Sequence, residues 1–369
     1  MFRKILNNTF IKLIIAILFQ SYQVCSIKSN NCSDSDNIFT PKDLEIDLKT
    51  LVEYDRLQES FENELNNITG HWGHRIRTIY EKCGDICNTD LLPKSKNKGK
   101  YFPEILKRVD CCGLWNNDAI DKPRPIGNPP SIPDKLLKYF NYNGRTIIRN
   151  YSSDGTLLNA QYLGGSAETP IWDEKLVDGM TLKCQQGTLA GTYGLEYTKR
   201  VFKNLLQVPN INGARVLVIG SENPWLESCV IAAGAKNVVT LEYGAIISKH
   251  PKITTITPQM ARDLYLEGGL GLFDVIATYS SVEHSGLGRY GDALNPWGDL
   301  QTIARAYCIT KPGGYMVLAV EDDETYDVIY YNAHRVYGPV MYMHLTANWE
   351  QISRGPKELQ SIFIFKKLI

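Results

Sequence analysis

The spacing of apolar and polar positions changes character along this chain. From Ala214 onward, short unbroken apolar runs alternate with longer stretches of helical spacing. Val216–Ile219, Asn237–Leu241, Ile253–Ile256, Phe273–Ala277 and Tyr315–Val320 read as strands. Runs without alternation are expected of strands covered on both faces. Trp225–Ala233, Pro258–Leu266 and Asp299–Ile309 predict helices between them, and Pro339–Thr346 a further one. Trp349–Arg354 and Leu359–Phe365 predict a closing hairpin around Gly355-Pro356. The alternation predicts an α/β fold: a mostly parallel, Rossmann-like sheet with an antiparallel C-terminal hairpin.

The stretch Ala214–Gly244 carries the most chemistry. It reads as strand, turn, helix, strand. Gly220 ends the first strand, and Asn223 with Pro224 are expected as helix N-cap and first helical residue. Gly234 stops the helix. The second strand ends on an acid, Glu242, 22 residues after Gly220 and placed to hold a ribose. A dinucleotide turn needs several glycines; here Glu222 occupies it. A carboxylate about 4 Å from a diphosphate costs roughly 4 kcal/mol per charge pair at an effective dielectric near 20. S-adenosylmethionine has a ribose and a sulfonium but no phosphate, so this turn favours it over NAD.

The first 200 residues are patterned differently. Leu44–Leu65 predicts an amphipathic helix in a stem. Asp121–Pro133 holds five prolines and reads as a linker. Ser131–Phe140 predicts a short helix, and Arg145–Tyr162 a hairpin turning at Ser153-Asp154-Gly155. Gly187–Val208 predicts a Gly-rich loop leading into a helix, either a lid on the cofactor or a cap on the sheet. Four parts are expected: 1–26 a targeting segment, 27–130 a Cys-containing stem region, 131–210 a lid or accessory segment, and 211–369 the α/β domain.

Composition narrows the partners. Lys+Arg and Asp+Glu are both 40, so no net field draws nucleic acid. Arg3 and Lys4 precede the apolar core Leu13–Phe19, with Val24-Cys25-Ser26 resembling a cleavage site. That is a cleaved signal peptide, or an uncleaved type II anchor that would be the only membrane contact. Both readings put the body of the chain in the secretory lumen. Glycosylation sequons begin at Asn31, Asn67 and Asn150. Of nine cysteines, Cys32, Cys83, Cys87, Cys111, Cys112 and Cys184 lie before the first strand, with no pairing deducible. Cys229 and Cys308 are expected as buried thiols in apolar helices. A zinc site from Cys83, Cys87, Cys111 and Cys112 is the competing reading.

Val216–Gly220 (VLVIG), Glu242, Phe273–His284 (FDVIATYSSVEH) and Lys311–Val320 (KPGGYMVLAV) together resemble class I S-adenosylmethionine-dependent methyltransferases. The longer signature SVEHSGLGRYGD with NAHRVYG at Asn332–Gly338 resembles domain-of-unknown-function family 268, a methyltransferase-like group. The resemblance implies that Gly220, Ser221 and Glu222 line the methionine end of the cofactor. It implies that Glu242 beside Tyr243 accepts the ribose hydroxyls, and that Ser280 or Ser281 approaches the transferred methyl. His284 is the expected base for a hydroxyl acceptor, with Glu283 or Asp292 orienting it or acting instead. A divalent ion on Glu283, His284, Asp292 and Asp322 is the alternative. His250, His334 and His344 offer no comparable context. In the lumen glycans are the abundant acceptors, so the expected reaction is O-methylation of a sugar hydroxyl, for example on a deoxyhexose such as fucose, in the Golgi or, alternatively, on secretion. A lumenal glycosyltransferase using Glu321-Asp322-Asp323, or an inactive binding module, are the competing functions.

Overall fold

The structure is a computed structural model that describes residue 56 and residues 70–90, 105–122, 131–150, 169–356 and 360–368. The targeting segment, the Leu44–Leu65 stretch apart from residue 56, the Ser153-Asp154-Gly155 turn, Asn31 and Asn67 lie outside them. In chain order the helices are α1 (Gly70–Glu81), α2 (Cys111–Asn116), α3 (Asp134–Phe140), α4 (Glu174–Gln185), α5 (Leu195–Leu205), α6 (Trp225–Ala232), α7 (Pro258–Leu266), α8 (Gly298–Cys308) and α9 (Met341–Leu345). The strands are β1 (Ile147–Asn150), β2 (Ile171–Trp172), β3 (Arg215–Ile219), β4 (Asn237–Leu241), β5 (Ile247–Ser248), β6 (Ile253–Ile256), β7 (Phe273–Tyr279), β8 (Thr310–Val320), β9 (Val328–Tyr331), β10 (His334–Val336), β11 (Trp349–Arg354) and β12 (Ser361–Lys367).

The central sheet runs β11-β12-β8-β7-β3-β4-β6. Neighbours from β8 to β6 are parallel, while β12 is antiparallel to both β8 and β11. This is the Rossmann-like sheet with an antiparallel C-terminal hairpin. Its strands send alternate side chains to opposite faces. Val216 and Val218 join Cys184, Val201, Leu205 and Cys229 in one core, with α4, α5 and α6. Leu217 and Ile219 join Ile303, Tyr307 and Met341 in the other, with α8 and α9. A strand buried on both sides has no polar alternation to show, which is why these runs read as continuously apolar. Each such side chain contributes roughly 1.5–3 kcal/mol.

The second core also takes in Ile76, Ile79, Tyr80, Leu114 and Trp115. The described part of the N-terminal region is therefore packed against the sheet domain. Two disulfides reinforce the layers. Cys111–Cys308 ties α2 to α8, and Cys184–Cys229 ties α4 to α6, each with Cα atoms 5.6 Å apart. The expectation of free buried thiols at Cys229 and Cys308 is thus overturned. Their apolar setting is as expected, but packing between helices remote in sequence brings a second sulfur to each. The zinc reading is overturned too, because Cys83 is bonded to Cys87 and Cys111 to Cys308, and Cys112 is also disulfide-bonded.

One local expectation is corrected. Asn223 does not cap α6: the helix begins at Trp225 after Pro224, without a side-chain cap. Ser221 Oγ donates to the Asn223 carbonyl instead and closes the turn. Ile147–Asn150 pairs in parallel with β9, 181 residues away at Ile147↔Val328 (328 − 147), and the turn and second strand of the Arg145–Tyr162 hairpin lie outside the described residues. Among the described residues no helix is long and apolar enough to cross a membrane. Asn150 is exposed at the end of β1.

Candidate functional site

The strand order reverses at β3, with β4 and β6 on one side and β7 and β8 on the other. Such a switch point opens a crevice at the carboxyl ends of the strands. A cavity of about 370 Å³ lies there.

Gly220 forms its first wall. The backbone turns with φ +74°, and a Cβ would sit 1.8 Å from Ser281 Oγ. Only glycine allows the β3 turn and the β7 end to approach this closely. Across the turn, Glu242 Oε2 accepts from the Ser221 amide at 2.7 Å, and Oε1 accepts from the Tyr243 amide at 2.8 Å. Burial raises the Glu242 carboxyl while these backbone bonds oppose that rise. The Gly244 amide is a third backbone donor to this carboxylate, which leaves one of its roughly four lone pairs for a ligand hydroxyl. Glu222 stands exposed at the rim of the cavity, and Tyr243 lines it.

Glu227, which sequence reasoning missed, stands behind the cavity wall and supports it through Ser221. It is fully buried on α6, accepts from Thr240 Oγ1 at 2.9 Å, and lies 2.9 Å from Ser221 Oγ. Ser221 has one hydroxyl proton, and the Asn223 carbonyl, which can only accept, lies 2.9 Å from the same oxygen. A protonated Glu227 donating to Ser221 Oγ satisfies all three groups. Burial pushes Glu227 up to about 7, in agreement. An acid inside an apolar helix carries no local signal of this role.

Aromatic rings line the next wall. Tyr279 packs 4.9 Å from Tyr193 and edge-on to Trp225 at 5.3 Å, and all three border the cavity. Tyr193 comes from the Gly-rich loop before α5, so that loop forms part of the wall and its hydroxyl bonds Ser280. Ser280 itself holds a left-handed backbone with φ 49°.

His284 borders the same cavity from the turn after β7. Its Nδ1 lies 2.5 Å from the Ala333 carbonyl. A carbonyl only accepts, so Nδ1 carries the proton and Nε2 keeps its lone pair. Burial pushes His284 down to about 3, so the ring is neutral. Glu283 Oε1 is 4.0 Å from Nε2, and burial lifts that carboxyl to about 8. The segment Asn332–Gly338 explains why the two signature motifs occur together. Ala333 orients His284, and buried Arg335 donates to the carbonyls of Ser285 (2.7 Å), Glu283 (3.3 Å) and Pro296 (3.4 Å). Asp299 stands beside Arg335 at 3.5 Å as its buried counter-charge.

Asp292 lies in the same loop with another task. Its carboxylate accepts from the amides of Gly286, Gly288 and Tyr290 at 2.7, 3.2 and 3.2 Å. It shapes the loop, and no hydrogen bond to His284 is present. The metal alternative is corrected: Asp322 pairs with Arg354 at 2.5 Å, and Asp292 is spent on amides. Among the described residues no group of three His, Cys, Asp or Glu is arranged to hold an ion. Glu321 faces His334 at 3.6 Å, so Glu321–Asp323 do not converge on one point. His334 also has a context its neighbours in sequence concealed: its ring lies 6.2 Å from His284.

Part of the chain is similar to known proteins. Residues 213–363 match the family described as Caenorhabditis protein of unknown function, DUF268. The N-methyltransferase NodS from Bradyrhizobium japonicum WM9 is similar in structure at 14% identity, covering 47% of this chain and 98% of its own, with a TM-score of 0.33. Its complex with S-adenosyl-L-homocysteine gives 13%, 52%, 99% and 0.33 in the same order. The 4+2 cyclase SpnF gives 10%, 55%, 100% and 0.33. No curated protein matches the chain.

Proposed function

We propose that this chain is an S-adenosylmethionine-dependent methyltransferase that methylates a hydroxyl group. The observation that carries the reading is one cavity bordered by both Glu242, pinned by the Ser221 and Tyr243 amides, and His284, with Nε2 unprotonated. The residues fit the cofactor. Glu242 offers its remaining lone pair to a ribose hydroxyl. Tyr193, Tyr279 and Trp225 present aromatic rings suited to a sulfonium cation. Glu222 at the rim suits an ammonium group and opposes a phosphate. When bound, S-adenosylmethionine supplies an electrophilic methyl group.

The chain's own residues supply alignment and a proton acceptor. The Gly220 turn and Ser281 fix the distance between the β3 and β7 ends. Tyr279, Tyr193 and Trp225 exclude water from that end of the cavity. His284 Nε2 accepts the proton of the acceptor hydroxyl, and the Ala333 carbonyl stabilises the resulting imidazolium through Nδ1–H. Glu283 adds a negative charge beside Nε2 once ionised.

The acceptor we infer is a sugar hydroxyl on a glycoprotein or glycolipid, such as a fucose hydroxyl, in the secretory lumen and in the Golgi. The signal segment, the sequons and the disulfides support an oxidising compartment, where glycans are abundant. The test has two parts. Calorimetric titration of S-adenosylhomocysteine into wild type and Glu242→Ala is expected to show binding that weakens at least about 10-fold in the variant. Absence of binding to wild type sinks the reading. Incubation with methyl-labelled cofactor and a glycan panel is expected to label a saccharide; binding without any label transfer sinks the glycan acceptor.

A further inference from the structure

His284 is bordered by aromatic rings that cofactor binding does not use. Tyr290 lines the cavity, and its ring meets His284 edge-on, with centroids 5.4 Å apart at 87°. His334 meets the His284 ring from the small sheet, at 6.2 Å and 89°. Tyr330 stands directly across from His334 on the neighbouring strand, with the two rings 5.0 Å apart. His284 itself is 7% exposed, whereas Tyr290, Tyr330 and His334 are each half-buried. Large rings partly uncovered around a base offer contact area to whatever the base acts on.

Both supports of these rings are fixed. The Asp292 carboxylate accepts from the amides of Gly286, Gly288 and Tyr290 and so holds the loop that carries Tyr290. The Ala333 carbonyl ties the β9–β10 turn to His284. Charged groups stand beside the rings. The Arg289 guanidinium lies 5.3 Å from the Tyr290 ring centroid, and Glu321 Oε2 is 3.6 Å from His334 Nε2.

A saccharide ring matches this mixture. Its C–H face is apolar and made slightly positive by the attached oxygens, which suits the electron-rich face of an aromatic ring. Its hydroxyl edges need donors and acceptors, of the kind Arg289 and Glu321 carry. A flat phenolic acceptor calls instead for apolar walls on both faces. We infer that Tyr290 is an acceptor-binding residue that seats a saccharide ring beside His284, with Tyr330 and His334 bordering the same base. The inference rests on the reading under Proposed function and names residues that hold its acceptor.

The test uses the full chain, methyl-labelled S-adenosylmethionine and the glycan panel, with catechol added as a flat phenolic probe. A saccharide is expected to take the label; label on catechol and on no saccharide overturns the inference. For the labelled saccharide, Tyr290→Leu is expected to raise KM about 5- to 10-fold, with S-adenosylhomocysteine affinity and melting temperature retained. Tyr290→Phe keeps the ring and is expected to hold KM within about 2-fold of wild type. An unchanged KM in folded Tyr290→Leu overturns the inference and leaves the methyltransferase reading standing. Saturation-transfer NMR on wild type with S-adenosylhomocysteine and that saccharide needs no variant. Irradiation of the aromatic protons is expected to mark the C–H protons of one face of the sugar ring, and marking of neither face overturns the inference. Cofactor binding with no label on any probe removes the glycan acceptor and the inference with it. Failure of wild type to bind S-adenosylhomocysteine at all instead removes the cofactor reading itself.

Discussion

His284 and Glu283 form a pair whose protons are set by burial. The imidazole is pushed down to about 3 and the neighbouring carboxyl up to about 8. At pH 7 both groups are neutral. As pH rises through about 8, Glu283 ionises 4.0 Å from Nε2 and favours proton uptake there. Turnover is therefore expected to rise between pH 7 and 9. The pH dependence of kcat in wild type and Glu283→Gln checks this: the rise near 8 should be absent from the variant, and its persistence there would remove Glu283 from the role. His284→Ala should lower kcat by about 10²–10⁴ while leaving S-adenosylhomocysteine affinity close to wild type. His284 was legible as a base because it follows an apolar strand in a polar turn. Its tautomer was not, since the Ala333 carbonyl that fixes it lies 49 residues away.

At the scale of the element, the β3–α6 turn combines two constraints. Gly220 needs a left-handed backbone and leaves no room for a Cβ beside Ser281. Gly213 also has a left-handed backbone, φ +79°, but a Cβ there would meet nothing within 4 Å. Gly220→Ala is therefore expected to lose cofactor affinity about 10-fold or more, because the β7 end must move. Gly213→Ala should cost only the backbone term, about 1–2 kcal/mol in a denaturation midpoint, with affinity kept. Equal affinity losses in both would show that the approach to Ser281 is not what matters. The glycine and the acid after β4 were readable from their spacing. Glu227 was not, because its partners Ser221 and Thr240 lie on separate elements that only the folded turn brings together.

Across the whole molecule, Cys111–Cys308 links the N-terminal region to α8 over a separation of 197 residues. Closing so long a loop restricts the unfolded chain strongly, and its removal typically costs about 2–5 kcal/mol. The double variant Cys111→Ala/Cys308→Ala is expected to lose that much unfolding free energy in a urea titration, with its midpoint at lower urea. A midpoint equal to wild type would mean that α2 is held by packing alone.

Period and spacing alone determined the strands of the sheet, their burial on both faces, the βαβ unit and the acid placed after its second strand. These are written within single elements and the short connections between them, where backbone geometry repeats. The tertiary structure decided which cysteines pair, which carbonyl orients His284, why Arg335 accompanies the SVEHSGLGRYGD loop, and that His334 meets His284. Each of those depends on side chains from distant segments meeting in a packed interior, where desolvation rather than local pattern fixes protons, partners and orientation.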